Sequence, residues 1–66
     1  MRIMINNQIK EFQSPLTVSQ LLILLARSQA GTALAINQII IPRAQWETHK
    51  INDGDNILLF QAIAGG

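Results

Sequence analysis

The sequence predicts an α+β domain in which a single helix covers one face of a β-sheet. One segment, residues 14–31 (SPLTVSQLLILLARSQAG), carries apolar side chains at helical spacing. The segments before and after it are short, apolar and bounded by turn residues, as strands are. A chain of 66 residues has room for one domain, and its 48% hydrophobic content can supply a dense core. Because one helix covers only one face of a sheet, we expect the other face to be open.

A β-hairpin is predicted at the N-terminus. Residues 2–6 and 9–13 are strand-like segments. Asn6, Asn7 and Gln8 lie between them, and Asn tolerates the positive φ that a tight turn requires.

The helix is predicted to begin at Thr17. Thr17 and Gln20 have the spacing of a capping box, in which each side chain accepts a hydrogen bond from the other residue's backbone N–H. Leu16 and Leu21 flank this box at the positions of a hydrophobic staple.

One apolar stripe of the helix should face the core, and Gly31 should end the helix in a left-handed cap. Ile23 and Leu24 lie off this stripe, so they either extend a hydrophobic surface or are tolerated exposed residues. The stripe consists of Val18, Leu21, Leu22 and Leu25.

Three more strands are predicted after the helix. Residues 33–37 and 38–41 are short strands joined at Asn37–Gln38, and residues 43–51 are irregular or a short helical turn with Trp46 at the edge of the core. A turn, NDGD, leads into a last strand at residues 56–63. Alternation along that strand places two sets of side chains on opposite faces: Ile57, Leu59 and Gln61, against Leu58, Phe60 and Ala62.

Composition excludes several classes of function. The chain has no cysteine, so disulfides, thiolate catalysis and Cys-based zinc sites are absent. Its net charge is +1 and its charges are scattered, which argues against a nucleic-acid partner. The longest apolar run, residues 21–26, is far shorter than the ~20 residues of a membrane span. We therefore expect a soluble, cytoplasmic domain with no membrane partner.

Side chains with reactive groups do not form a catalytic pattern. His49 has no partner motif nearby and is interpreted as a surface histidine. The carboxylates of NDGDN, at Asp53 and Asp55, are too few and too close for a calcium loop and are expected to belong to a turn. Arg43 could contact a partner's carboxylate, although a solvated arginine is favoured, and no metal site or catalytic residue is expected.

The C-terminal Gly65–Gly66 pair is the distinctive chemical feature. A carboxylate becomes a good electrophile only when its oxygen becomes a good leaving group, as in an acyl-adenylate. An activating enzyme must draw the carboxylate into a closed site, and glycines pass and bend in a narrow channel that side chains would block. Residues 63–66 reach about 13 Å from the domain when extended.

The order of strands and helix, with a terminal Gly-Gly, resembles the ubiquitin-like β-grasp. The segments ALAINQIIIP and DGDNILLFQAIAGG, with Trp46 four residues after Pro42, are similar to the ThiS family of sulfur carriers in thiamine thiazole synthesis. The resemblance covers essentially the whole chain. It implies a β-grasp domain at residues 1–62, with one mixed sheet, and a flexible tail at residues 63–66.

The resemblance also implies a mechanism. A ubiquitin-activating-type adenylyltransferase would use ATP and Mg²⁺ to adenylate the Gly66 carboxylate, and sulfur from a donor such as a cysteine desulfurase would convert the adenylate into a thiocarboxylate. Thiazole synthase would then take the sulfur. The chain would be a consumed co-substrate rather than an enzyme, with no cofactor of its own.

The implied partner contacts lie on the tail and on the open sheet face. Gly65 and Ala64 would thread into the activating enzyme. In the β-grasp arrangement Ile57 and Leu59 face the helix, so the partner surface would be formed by Met4, Leu58, Phe60 and Ile63. Three alternatives stay open: the small subunit of molybdopterin synthase, a tRNA-thiolation carrier, and an interaction domain with an inert tail.

Overall fold

The computed structural model describes residues 1–61, which form one helix and five strands. The end of the predicted last strand and the predicted boundary between domain and tail lie outside the described residues. The elements are β1 (Arg2–Ile5), β2 (Gln8–Glu11), α1 (Val18–Leu24), β3 (Thr32–Ile36), β4 (Ile39–Ile40) and β5 (Asn56–Gln61), with a short 3₁₀ turn at Arg43–Gln45 between β4 and β5.

The strands form a single mixed sheet in the order β2-β1-β5-β3-β4. The central strand, β5, pairs in parallel with β1, and every other neighbouring pair is antiparallel. Helix α1 packs on one face of this sheet through Val18, Leu21 and Leu22, which are fully buried. The predicted α+β architecture, with one helix on one face of a mixed sheet, is therefore confirmed.

Two tight turns set the register of the outer hairpins. Asn6 and Asn7 join β1 to β2 with φ of 48° and 69°, and Asn37 and Gln38 join β3 to β4 with φ of 52° and 72°. Two successive residues with positive φ give the primed turn whose twist matches that of paired strands. Gln38 thus belongs to a turn, and β4 is only two residues long, shorter than the predicted 38–41.

The helix begins as predicted and ends earlier than predicted. The Gln20 N–H donates to Thr17 Oγ1 (3.2 Å) and the Thr17 N–H donates to Gln20 Oε1 (2.9 Å), so both halves of the capping box are present. Ala26, with a φ of 57°, takes the left-handed position, and the N–H groups of Ala26 and Arg27 donate to the carbonyls of Ile23 and Leu22.

Those two hydrogen bonds form a Schellman motif, which satisfies carbonyls at the end of the helix. The prediction that Gly31 ends the helix is therefore wrong. Gly31 instead adopts its positive φ of 73° immediately before β3. The physical reason is that Ala26, five residues before the glycine, already adopts the left-handed conformation and ends the helix. It does so although the β-carbon of an alanine makes this conformation less favourable than it is for glycine.

The core lies between α1 and the covered face of the sheet. Trp46 is buried, and its indole N–H donates to the Ile41 carbonyl at 2.8 Å, so this ring closes the edge of the core as predicted. The core side chains are Ile3, Ile5, Leu16, Val18, Leu21, Leu22, Leu34, Ile36, Ile41, Trp46, Ile51 and Ile57.

Candidate functional site

The open face of the sheet carries apolar side chains from several strands. Residues directly opposite each other in a sheet point to the same face. Phe60 lies opposite Ala33, and Leu58 lies opposite Ala35, in the pairing of β5 with β3. Met4 lies opposite Asn56, two residues before Leu58 on the same face. The predicted partner residues Met4, Leu58 and Phe60 therefore share one face, away from the helix.

Burial confirms how β5 faces the helix. Ile57 is fully buried, and Leu59 is half-buried against the core. On the opposite face Leu58 is half-buried and Phe60 is 52% exposed. The small side chain of Ala33 beside Phe60 leaves the aromatic ring projecting from the sheet.

Two exposed isoleucines widen this surface beyond the predicted residues. Ile9 lies opposite Met4 and is 63% exposed, and Ile40 lies opposite Ala35 and is 71% exposed. Their place follows from the registers of the β1–β2 and β3–β4 pairs. We call Met4, Ile9, Ile40, Leu58 and Phe60 the open-face patch.

The chain leaves the described domain at Gln61, at the end of central strand β5. Arg27 Nη1 donates to Gln61 Oε1 at 3.4 Å, and the Leu59 N–H donates to Asn6 Oδ1 at 2.9 Å, where β5 runs past the end of β1. Four predicted site residues, Ile63, Ala64, Gly65 and Gly66, lie outside the described residues. Gln61, the last described residue, directly follows Phe60 of the open-face patch, and we call it the root of the tail.

The acidic side chains of the NDGDN segment serve the fold. Asp55 is buried, and its carboxylate accepts from the Asn52 N–H (2.8 Å) and the Asn37 side-chain amide (3.1 Å). Asp53 Oδ1 accepts from the Arg2 N–H at 2.6 Å. These bonds tie the turn before β5 to the β3–β4 turn and to β1, in keeping with the predicted role of a turn.

The remaining candidates do not assemble into a reactive centre. His49 is partly exposed at the surface. The Arg43 guanidinium lies 5.8 Å from the centre of the Trp46 ring, in a cation–π contact. Within residues 1–61, no three His, Cys, Asp or Glu side chains are grouped so that they could hold a metal ion. None of the helices in this part of the chain is long and apolar enough to cross a membrane.

Ile23 and Leu24 lie on the outer side of α1 and are largely exposed. They line a groove with Pro15, Leu16 and Gln20, at the side of α1 next to the segment that enters the helix. The lining of this groove includes no residue of the open-face patch, so the groove and the patch are two separate apolar surfaces.

Comparison with known proteins identifies the family. The model of the ThiS family matches residues 3–66. The sulfur carrier protein ThiS of Escherichia coli (strain K12) is 54% identical over 66 residues, which is 100% of each chain.

Solved structures give the same fold. A crystal structure of a thiamine biosynthesis protein (ThiS) from Geobacter metallireducens superposes with a TM-score of 0.85 at 23% identity, with 100% of both chains covered. A solution NMR structure of a thiamine biosynthesis protein from that organism gives a TM-score of 0.80 at 23% identity, covering 100% of this chain and 88% of the other. The chain therefore belongs to the ThiS family and has its ubiquitin-like β-grasp fold.

Proposed function

We propose that this chain is a sulfur carrier of thiamine biosynthesis whose Gly66 carboxylate becomes a thiocarboxylate. The observation that carries the proposal is the full-length match, at 54% identity, to a protein named as a sulfur carrier. The name ThiS also favours a role in thiamine biosynthesis over the molybdopterin and tRNA-thiolation alternatives. The expected location is the cytoplasm.

The chemistry has two steps at the Gly66 carboxyl group. A Gly66 carboxylate oxygen attacks the α-phosphorus of ATP, which releases pyrophosphate and leaves an acyl-adenylate. A sulfur nucleophile at the oxidation level of sulfide then displaces AMP, so one oxygen leaves with the nucleotide and sulfur takes its place. Thiazole synthase receives this sulfur. ATP and Mg²⁺ belong to the activating adenylyltransferase. The sulfur comes from a donor such as a cysteine desulfurase, whose persulfide is reduced by a thiol, so that a disulfide forms and sulfur is released at the level of sulfide.

The described residues support the role of a presented substrate. The open-face patch exposes several large apolar side chains on a domain of 66 residues, and such patches on small proteins usually contact partners. Met4, Leu58 and Phe60, together with Ile63, would dock on the adenylyltransferase. Ala64 and Gly65 would then thread into its active site, since small side chains fit a narrow channel.

Intact-protein mass spectrometry tests this function. Incubation with the adenylyltransferase, ATP, Mg²⁺ and a sulfur source should raise the mass by the difference between one sulfur and one oxygen atom. Fragmentation should place the gain on Gly66.

A chain that lacks Gly66 is the matched control. Its carboxylate, on Gly65, is withdrawn by about 3.3–3.6 Å, and a misplacement of ~1 Å can cost about a hundredfold in rate. Sulfur at another residue, or equal thiolation of the shortened chain, would rule out the proposal.

A further inference from the structure

A recess with two cationic side chains lies beside the root of the tail. Its volume is about 260 Å³, and its lining includes Lys10, Arg27, the amide side chains of Asn6 and Gln8, and Leu59. We call it the basic recess. It opens on the helix side of the sheet, because Lys10 lies opposite the buried Ile3. It is therefore distinct from the open-face patch.

Two different elements bring the cations together. Lys10 is on β2, and Arg27 is the last residue of the Schellman motif, in which its N–H donates to the Leu22 carbonyl at 2.9 Å. The backbone of Arg27 is thus fixed at the end of the helix, and its side chain reaches Gln61, the last described residue of β5. One lining residue of the recess, Arg27, therefore connects it to the last described residue of β5.

The chain supplies no acidic side chain to this recess. Its four acidic residues are Glu11, Glu47, Asp53 and Asp55, and none of them lines the recess. Glu11 pairs with Arg2 at 3.2 Å, and Asp53 and Asp55 precede β5, at the opposite end of that strand from Gln61. Within residues 1–61 neither Lys10 nor Arg27 takes part in an ion pair.

We propose that the basic recess binds an acidic side chain of the adenylyltransferase at the mouth of the channel that receives the tail. This inference rests on the proposed function. Arginine binds a carboxylate through two parallel N–H groups, and lysine adds a second charge. Because the recess lies at the tail root, an acidic side chain there would fix the direction in which the tail enters.

Distance argues against the nucleotide as the occupant. The phosphates of ATP must lie at the Gly66 carboxylate during adenylation. Five residues follow Gln61, and when extended they span about 16–18 Å. Arg27 of the recess bonds to Gln61, so the recess would face the enzyme surface around the channel entrance rather than the reacting phosphates.

Charge reversal of each cation tests the proposal. Lys10→Glu, Arg27→Glu and the matched control Lys50→Glu change the net charge equally. The backbone of Lys50 forms an isolated β-bridge with Thr17, at the other end of the helix from Arg27. Adenylation kinetics at several salt concentrations would be measured for each, with thermal unfolding as a check of the fold. We expect KM to rise roughly 10-fold for Lys10→Glu and for Arg27→Glu at low salt, and less at high salt, because rim charges act mainly on association. The kcat should stay unchanged.

Other results separate the possible failures. If the unaltered chain is not adenylated, the proposed function itself fails. If it is adenylated but all three variants have the same KM, general charge steering explains the data and the recess proposal is overturned. A fall in kcat alone would place the cations near the nucleotide, which also overturns it. A shift of the Arg27 guanidinium NMR signal when the Gly66 carboxylate is amidated would show that the chain's own terminus fills the recess. That result would also overturn the recess proposal.

Discussion

Truncating Phe60 should separate binding from stability. The Phe60 side chain is 52% exposed. Since full burial of such a side chain contributes ~1.5–3 kcal/mol, Phe60→Ala should lower the free energy of unfolding by only about 1 kcal/mol. Ile57, three residues earlier on the covered face, is fully buried, and Ile→Ala at such a site costs about 2–5 kcal/mol. A domain of 66 residues has a total stability of about 3–10 kcal/mol, so Ile57→Ala removes a large share of it.

Binding should show the opposite order. Aromatic anchors at interfaces contribute about 2 kcal/mol or more, which is roughly 30-fold in Kd for the adenylyltransferase. Urea unfolding followed by the fluorescence of Trp46, the single tryptophan, measures stability, and calorimetry measures binding. Ile57→Ala should leave Kd nearly unchanged under conditions where it stays folded. If Phe60→Ala destabilises the domain more than Ile57→Ala, or leaves Kd unchanged, the assignment of the open-face patch is refuted.

Three further changes test separate features. Ala26→Gly should raise the free energy of unfolding by about 1 kcal/mol, because glycine adopts the φ of 57° without strain; a lower urea midpoint would contradict the Schellman assignment. Trp46→Phe should cost about 1–3 kcal/mol, since the buried Ile41 carbonyl loses its donor, and circular dichroism during unfolding measures this. Gly65→Val should leave the melting temperature unchanged, because the core is formed by residues 3–57, while adenylation falls severely; adenylation at the original rate would refute the narrow-channel argument.

Local rules were sufficient where neighbouring residues decide the structure. The Thr17–Gln20 capping box depends on one turn of backbone, and alternation along β5 correctly separated the face of Ile57 and Leu59 from that of Leu58 and Phe60. Which of the two faces is covered by the helix came from the resemblance to the β-grasp, and the burial of Ile57 agrees with it. The prediction missed the early helix end at Ala26 because alanine rarely adopts positive φ. Gly31 was the nearest glycine after the helix, and glycine adopts positive φ readily, so the helix end was predicted there.

Features that depend on several strands could not be predicted in this way. Ile9 and Ile40 join the open-face patch through the registers of two different hairpins. The basic recess joins Lys10 to Arg27, which are on separate elements and share no sequence pattern. The packing of α1 against the sheet brings these two side chains to one recess.

The parallel pairing of β1 with β5 has a consequence for synthesis of the chain. Met4 pairs with Asn56, so the middle of the sheet joins early and late segments. A nascent chain that stops before Asn56 has two hairpins, β1–β2 and β3–β4, with no strand between them. Such a fragment lacks the shared core residue Ile57 and the face on which Phe60 lies. Prematurely terminated products would therefore not compete with the finished protein for its activating enzyme.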